Sequence, residues 1–272
     1  MRETSEEEAM IGGGGKRGPC RARNSGYAAA MNEATQRLLK ARARPLRRPV
    51  MYQDWNDLFF MHWEYDVRAI QSRLPEGLEV DCFEGKAYLG VVGFRMHAIR
   101  PVGLPALPWI SFFNELNVRT YVRSRSGEPG VWFFSLDCDR APAVWIARRG
   151  FGLAYEHAEI AIGPGLSLSC RRENQSQTAR YEWRAMSEPA VAVPGSLEFH
   201  LAERYRFFAL KNGELIRGDV HHAPYELSVA AAAQYSDLPL QWNHFDVGNR
   251  APGPVHSCRG VTVEAFPPIA GD

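Results

Sequence analysis

Lysine is nearly missing from this chain. Only Lys16, Lys40, Lys86 and Lys211 occur in 272 residues, and the other basic residues are arginine. Lysine is the residue that makes imines, whereas arginine makes fixed, bidentate contacts with carboxylates and phosphates. Cysteine is also sparse. Cys20, Cys82, Cys138, Cys170 and Cys258 are odd in number, scattered and without a Cys-x-x-Cys pair. That spacing argues against a disulfide framework or a structural zinc site and fits a reducing cytoplasm. Neither sign of charge is in excess. A formal net charge of +1 gives no long-range field to gather nucleic acid or an anionic membrane. No apolar run approaches the length that crosses a bilayer. The N-terminus carries acidic residues and glycines where a signal peptide needs a basic start and an apolar centre. The expected location is cytoplasmic, with no membrane and no nucleic-acid partner.

Several chemical signatures are missing as well. Gly12–Gly15 is low complexity, without the lysine and hydroxyl residue of a phosphate loop. A Gly-x-Ser-x-Gly nucleophile elbow is absent. His221 and His222 are adjacent, so on a strand they point to opposite faces and cannot share one ion without a bend. No metal and no cofactor is expected.

What is present is a composition that folds: 45% hydrophobic and 23% charged residues, enough chain for one large domain. Residues 1–50, with Glu6–Glu8, the glycine run, Arg42, Arg44, Arg47 and Arg48, are expected to be a disordered or marginally helical extension. A helix over Tyr27–Ala43 has the composition but only a weak apolar stripe. A single domain is expected over 51–272. In it, Trp55–Tyr65 reads as a strand, and Asp66 as the N-cap of a short helix that Pro75 stops. Ser196 reads as the cap of a helix over Leu197–Phe208, which places Glu203–Arg206 on a solvated face. Lys211-Asn212-Gly213-Glu214 reads as a tight turn.

The organising stretch is the hairpin of Leu116–Val122 and Val131–Asp137, joined by a polar turn with Gly127, Pro129 and Gly130. Along its first strand Glu115, Asn117, Arg119, Tyr121 and Arg123 share one face, because side chains alternate. Leu116, Val118, Thr120 and Val122 take the other. A strand of that kind either meets water or lines a polar cavity.

Motifs fall in one order: LFFMHWEYD with LPEGLEVD, then GKAYLGVVGFRM, FNELNVRTYV, GVWFFSLD, and LEFHLAERYRFF with VHHAPYEL. Together they resemble the YqjF-like family of bacterial proteins, domain-of-unknown-function family 2071, over about Trp55 to Phe266. That family is distantly similar to acetoacetate decarboxylase. The resemblance implies an α+β fold: a curved, barrel-like antiparallel sheet around a pocket, with a few short helices. Tyr65-Asp66 through Pro75 resembles the decarboxylases' opening helix, with Glu64 where their arginine stands. Phe113-Asn114-Glu115 resembles their pocket segment that carries a glutamate. Ala147-Arg148-Arg149 through Ala154-Tyr155-Glu156 resembles their glycine-arginine-glutamate run and lysine pair, so that Tyr155 and Glu156 occupy the two lysine positions. A phenol forms no imine, and a carboxylate next door raises an amine's pKa rather than lowering it. On this alignment Schiff-base decarboxylation is not expected.

Glu115, Arg119 and Tyr121 form the leading candidate group. Either Arg119 grips a ligand carboxylate and Glu115 handles a proton, or the group is an intrastrand charge pair. Arg148 follows a short helix over Ala141–Arg148 and either binds an anion or caps the helix and meets solvent. His62 is a base or a satisfied residue of an aromatic core. Tyr155 and His157 face together, as a proton relay or as part of a surface strand. Two functional readings follow. One is a pocket for a small organic acid held by Arg119, Arg148 and Tyr121, with Glu115, Tyr155 or His62 as the available acid–base groups. The other is a non-catalytic module with a filled interior that associates with itself or a partner through Trp63, Trp109, Trp132, Trp145 or Trp242. A homo-oligomer is compatible with either.

Overall fold

The first of the ordered strands is already longer than its sequence pattern, because the computed structural model continues it back to Met51. That structure describes residues 27–163, 165–248 and 250–272, and the expectations placed on residues 1–26 lie outside it. Helix α1 spans Tyr27–Ala41. Then come β1 (Met51–Tyr65), α2 (Val67–Gln71), β2 (Leu78–Val80), β3 (Ala87–Pro101), β4 (Phe113–Ser124) and β5 (Pro129–Cys138). Helix α3 (Ala141–Phe151) leads to β6 (Tyr155–Gly163), β7 (Ser167–Arg172), β8 (Ala179–Ala185) and β9 (Ala190–Val191). After α4 (Leu197–Ala202) follow β10 (Arg206–Lys211), β11 (Glu214–His222) and β12 (Glu226–Gln234). Helix α5 (Leu238–Trp242), β13 (Val255–Ala265) and β14 (Ile269–Ala270) complete the chain.

The strands pair into one mixed sheet that returns on itself. One circuit runs β10–β5–β4–β3–β1–β13–β11 and back to β10. A second leaves β5 through β6, β7, β8 and β12 and rejoins at β13. Strands β1, β3 and β4 belong to both circuits, which is why Leu58–Trp63, Ala87–Phe94 and Glu115–Val122 are buried on both faces. The side toward β6–β8 is filled by Phe59, Met61, Trp63, Val91, Leu116, Val118, Leu168, Tyr181 and Trp183. The other side, inside the seven-strand circuit, holds the cavity described below.

The expected antiparallel sheet is mixed. β5 pairs parallel with both β6 and β10. Helix α3 carries the chain from the end of β5 back to the start of β6, and a crossover of that length returns the next strand parallel. The expected hairpin is there, with Glu115 opposite Cys138 and Arg123 opposite Pro129, and a register shift between Val118 and Arg119. Asp66 accepts from the Ala69 amide at 2.8 Å and Ser196 from the Phe199 amide at 3.2 Å, so both caps form. Asn212 and Gly213 take φ of 54° and 82°, the left-handed pair that a two-residue hairpin turn requires.

The helix expected over Leu197–Phe208 stops at Ala202 instead. Glu203 turns its carboxylate inward, where it accepts from the Tyr225 amide and the Tyr205 hydroxyl. From Arg206 the chain is a strand. The Glu203–Tyr205 segment is buried rather than solvated.

Residues preceding β1 contact the domain. Leu38 and Ala41 of α1 are buried, Arg44 pairs with Glu264 at 2.6 Å, and Arg47 pairs with Asp219. Cys138, Cys170 and Cys258 are buried free thiols. Trp63 is core, whereas Trp109 and Trp145 are exposed. Among the described residues no helix is long and apolar enough to cross a membrane, and no cluster of three metal-binding side chains occurs.

Candidate functional site

The cavity inside the seven-strand circuit has a volume of about 620 Å³. Its walls are mainly aliphatic and aromatic side chains of β1, β3, β4 and β5 and of residues 104–111. Against that background a few polar groups stand out. Glu115, Asn117 and Arg119 project inward from successive inward positions of β4, and all three are buried.

Each has a distinct set of partners. The Tyr155 hydroxyl donates to Glu115 Oε2 at 2.7 Å, and Asn117 Nδ2 donates to Glu115 Oε1 at 3.2 Å. Burial pushes the Glu115 carboxyl up to about 7, further helped by the charge of Asp137. The hydrogen bonds from Tyr155 and Asn117 and the charge of Arg119 favour the ionised form but do not offset the burial. Glu115 therefore exchanges its proton near neutral pH. Burial, then Glu115 itself, holds the Tyr155 phenol far above its ordinary range, so Tyr155 stays a donor.

Arg119 is 9% exposed and lines the cavity. One of its terminal nitrogens donates to Leu201 O at 3.4 Å, and its guanidinium lies 5.6 Å from the ring centres of Phe60 and Tyr121. Its Nε has no hydrogen-bond partner, nor does Asn117 Oδ1. Among the described residues no carboxylate lies within ion-pair distance of Arg119. A buried cation is normally paired, so this donor is conspicuous.

His62 and Tyr121 form a pair beside Arg119. His62 Nε2 accepts from the Tyr121 hydroxyl at 2.7 Å, and Nδ1 lies 3.3 Å from Pro254 O. Burial first, then the Arg119 charge, pushes the His62 pKa well down and keeps the ring neutral. Gly90 makes room for this arrangement. A Cβ there would lie 3.2 Å from the Tyr121 hydroxyl and 3.3 Å from the His62 ring.

Arg204 also reaches the cavity wall, but it is neutralised. It pairs with Asp81 at 2.6 Å and donates to His200 O at 2.7 Å, and His200 Nε2 lies 2.9 Å from its Nη2 and 3.1 Å from Asp81 O. Burial and the Arg204 charge hold His200 down to about 3, so its ring is neutral. On another wall Arg206 and Asp219 face each other at 3.5 Å, within a network that includes Glu128, Arg217 and Arg47.

Residues 52–262 match the model of the DUF2071 family, described as an uncharacterised conserved protein. The chain belongs to that family. A Bacillus subtilis (strain 168) member, protein YqjF, is 37% identical over 187 residues, covering 67% of this chain and 77% of that protein. Among solved structures, acetoacetate decarboxylase from Legionella pneumophila superposes with a TM-score of 0.55 at 14% identity, over 84% of this chain and 92% of the other. An acetoacetate decarboxylase-like enzyme from Sphingomonas wittichii RW1 gives 0.52 at 13% identity, over 84% and 96%. The DUF2071 fold is thus acetoacetate decarboxylase-like.

Of the six residues singled out in the sequence, this DUF2071 structure brings Glu115, Arg119 and Tyr155 to the cavity wall. Tyr121 and His62 sit behind Arg119 and are satisfied by each other. Arg148 is elsewhere: it pairs with Glu156 at 2.9 Å, donates to Tyr155 O, and is about half exposed. It does not line the cavity. Asn117, Arg204, Asp81 and His200 were not singled out. Asn117 was legible as a member of the same inward face. Arg204 was hidden by the helix assigned to it, although the alternation Arg204-Tyr205-Arg206-Phe207 carries the period of a strand.

Proposed function

We propose that this protein binds a small organic acid in the cavity, with the carboxylate on Arg119 and with Glu115 as the adjacent proton carrier. The observation that carries the reading is Arg119 itself: a cation nine-tenths buried, lining a cavity, with an unsatisfied Nε and no carboxylate partner among the described residues. A guanidinium matches a carboxylate in shape and charge. Glu115, poised near neutral pH and supported by Tyr155 and Asn117, has the properties of a general acid or base for a group held next to that carboxylate. The chemistry this supports is proton transfer, without an imine. The described lysines are not among the cavity-lining residues: Lys86 pairs with Glu64 at 2.8 Å and Lys211 donates to Gly150 O. Arg148 is left out of the proposal because its guanidinium is engaged at the surface. The alternative of a filled, purely associating module fits poorly with an interior of about 620 Å³.

The test is a thermal-shift and urea-unfolding comparison of wild type with Arg119→Met across a panel of carboxylates. At a hundred times its dissociation constant, a bound acid is expected to stabilise wild type by about 2.7 kcal/mol. The Arg119→Met protein is expected to be at least as stable as wild type without ligand, because the variant removes an unpaired buried charge. It should show no acid-dependent gain. Equal gains in both proteins, or none in either, contradict the reading.

A further inference from the structure

The cavity is not uniform along its length. On the β3–β4 wall, Gly90 lies opposite Arg119, Val92 opposite Asn117, and Phe94 opposite Glu115. The next inward rung, Met96 opposite Phe113, has no polar side chain. Beyond it the lining continues through Ile99 to the segment 104–110. Strands advance about 3.3 Å per residue, so the stretch from Phe94 to Ile99 adds roughly 15 Å past the Glu115 rung. The charged groups on the remaining walls are already answered, Arg204 by Asp81 and Arg206 by Asp219. Among the described residues, the lining cation without a carboxylate partner is Arg119.

This gradient says more than that an acid binds. A four-carbon keto acid placed on Arg119 leaves most of about 620 Å³ unfilled, a volume in the range that accommodates ligands of drug size. A ligand with a second charged end would put that end among Phe94, Met96, Phe113 and Ile99, where the polar lining side chains Gln53 and Ser111 carry no charge and already accept from Trp55 Nε1 and the Leu107 amide. Resting on the organic-acid reading, we propose that the ligand is an amphiphilic monocarboxylic acid: the carboxylate on Arg119 and a hydrocarbon tail along the Met96–Phe113 end of the cavity.

The experiment is isothermal titration calorimetry of the full chain with butanoate, hexanoate, octanoate, decanoate and octanedioate, repeated with Arg119→Met and with the near-isosteric Met96→Gln. Each methylene buried is expected to tighten binding about fourfold over the series. Octanedioate is expected to bind about a hundredfold more weakly than octanoate, or worse. Met96→Gln should weaken octanoate and leave butanoate unchanged, and Arg119→Met should weaken every member. If butanoate and octanedioate match decanoate while Arg119 still matters, the tail proposal is wrong and the acid-binding reading survives. If affinity climbs with length equally in Arg119→Met, the tail is held without its carboxylate anchor and the amphiphilic assignment is wrong. If no acid binds at millimolar concentration, both fall together. The chain-length series needs only the wild-type protein, so a variant that fails to fold does not block it.

Discussion

Asp81→Ala is expected to destabilise the fold by about 3–5 kcal/mol. Arg204 is almost completely buried, and Asp81 is its only carboxylate partner among the described residues. Burial works against the charged Asp81, but the Arg204 charge, aided by His200 and the Arg204 hydrogen bond, holds its pKa below the ordinary value. Removing the carboxylate leaves a guanidinium without solvent or counter-charge, which costs far more than the pair itself gains. The double variant Asp81→Leu with Arg204→Met removes both charges and is expected to recover most of the loss. Urea unfolding of the two proteins checks this. A single-variant loss below about 1 kcal/mol, or a double variant no better than the single, would show that Arg204 is not confined as described.

The second large effect is on pH. A carboxyl group that rises from 4.5 to about 7 on folding binds its proton more tightly in the native state than in the unfolded chain. Its contribution to stability is complete below pH 4.5 and is lost as pH rises through about 7. At about 1.4 kcal/mol per pH unit that interval is worth about 3 kcal/mol. Histidines act in the opposite sense. His200 falls from 6.5 to about 3 on burial, so its contribution is present above pH 6.5 and lost as pH falls toward 3. The two slopes overlap, and wild type alone would blur them. The difference between wild type and Glu115→Gln isolates the carboxyl: the variant should gain on wild type by about 3 kcal/mol between pH 4.5 and 7 and no further above it. A difference flat across that range would place the Glu115 pKa near its ordinary value and remove its role as a proton carrier at neutral pH.

These expectations rest on a site only partly visible in the sequence. Alternation along Glu115–Arg123 places Glu115, Asn117 and Arg119 on one face, because period two is a property of the strand alone. The partner of Glu115 was not visible as such. Tyr155 lies 40 residues later and reaches Glu115 only through the parallel β5–β6 pairing, which sets Leu136 opposite Tyr155. Local pattern does not encode which strand lies next to which. Arg148 was singled out on motif resemblance, and its side chain turned to Glu156 at the surface. The strand β12 is not legible in the sequence, because Glu226–Gln234 is mostly alanine and serine, whose weak strand preference hides the alternation. The Leu197–Phe208 helix was overextended because Leu197, Leu201, Tyr205 and Phe208 do fall at helical spacing. The buried polar contacts of Glu203 and Arg204, made to the Tyr225 amide just before β12 and to Asp81 next to β2, overrode that local preference.

The double duty of β1, β3 and β4 also explains why both readings of the polar face looked reasonable. Their outer side packs a filled core, and their inner side faces open volume, so burial on both faces says nothing by itself about a ligand. The proposed ligand rests instead on the Arg119 guanidinium, which has no carboxylate partner among the described residues.

A crystal structure of the protein with 8-bromooctanoate tests this most directly, because bromine marks the tail by its anomalous signal. The carboxylate is expected within hydrogen-bond distance of Arg119 and the bromine near Met96 and Phe113. Bromine beside Arg119, or the acid bound only outside the seven-strand circuit, would contradict it.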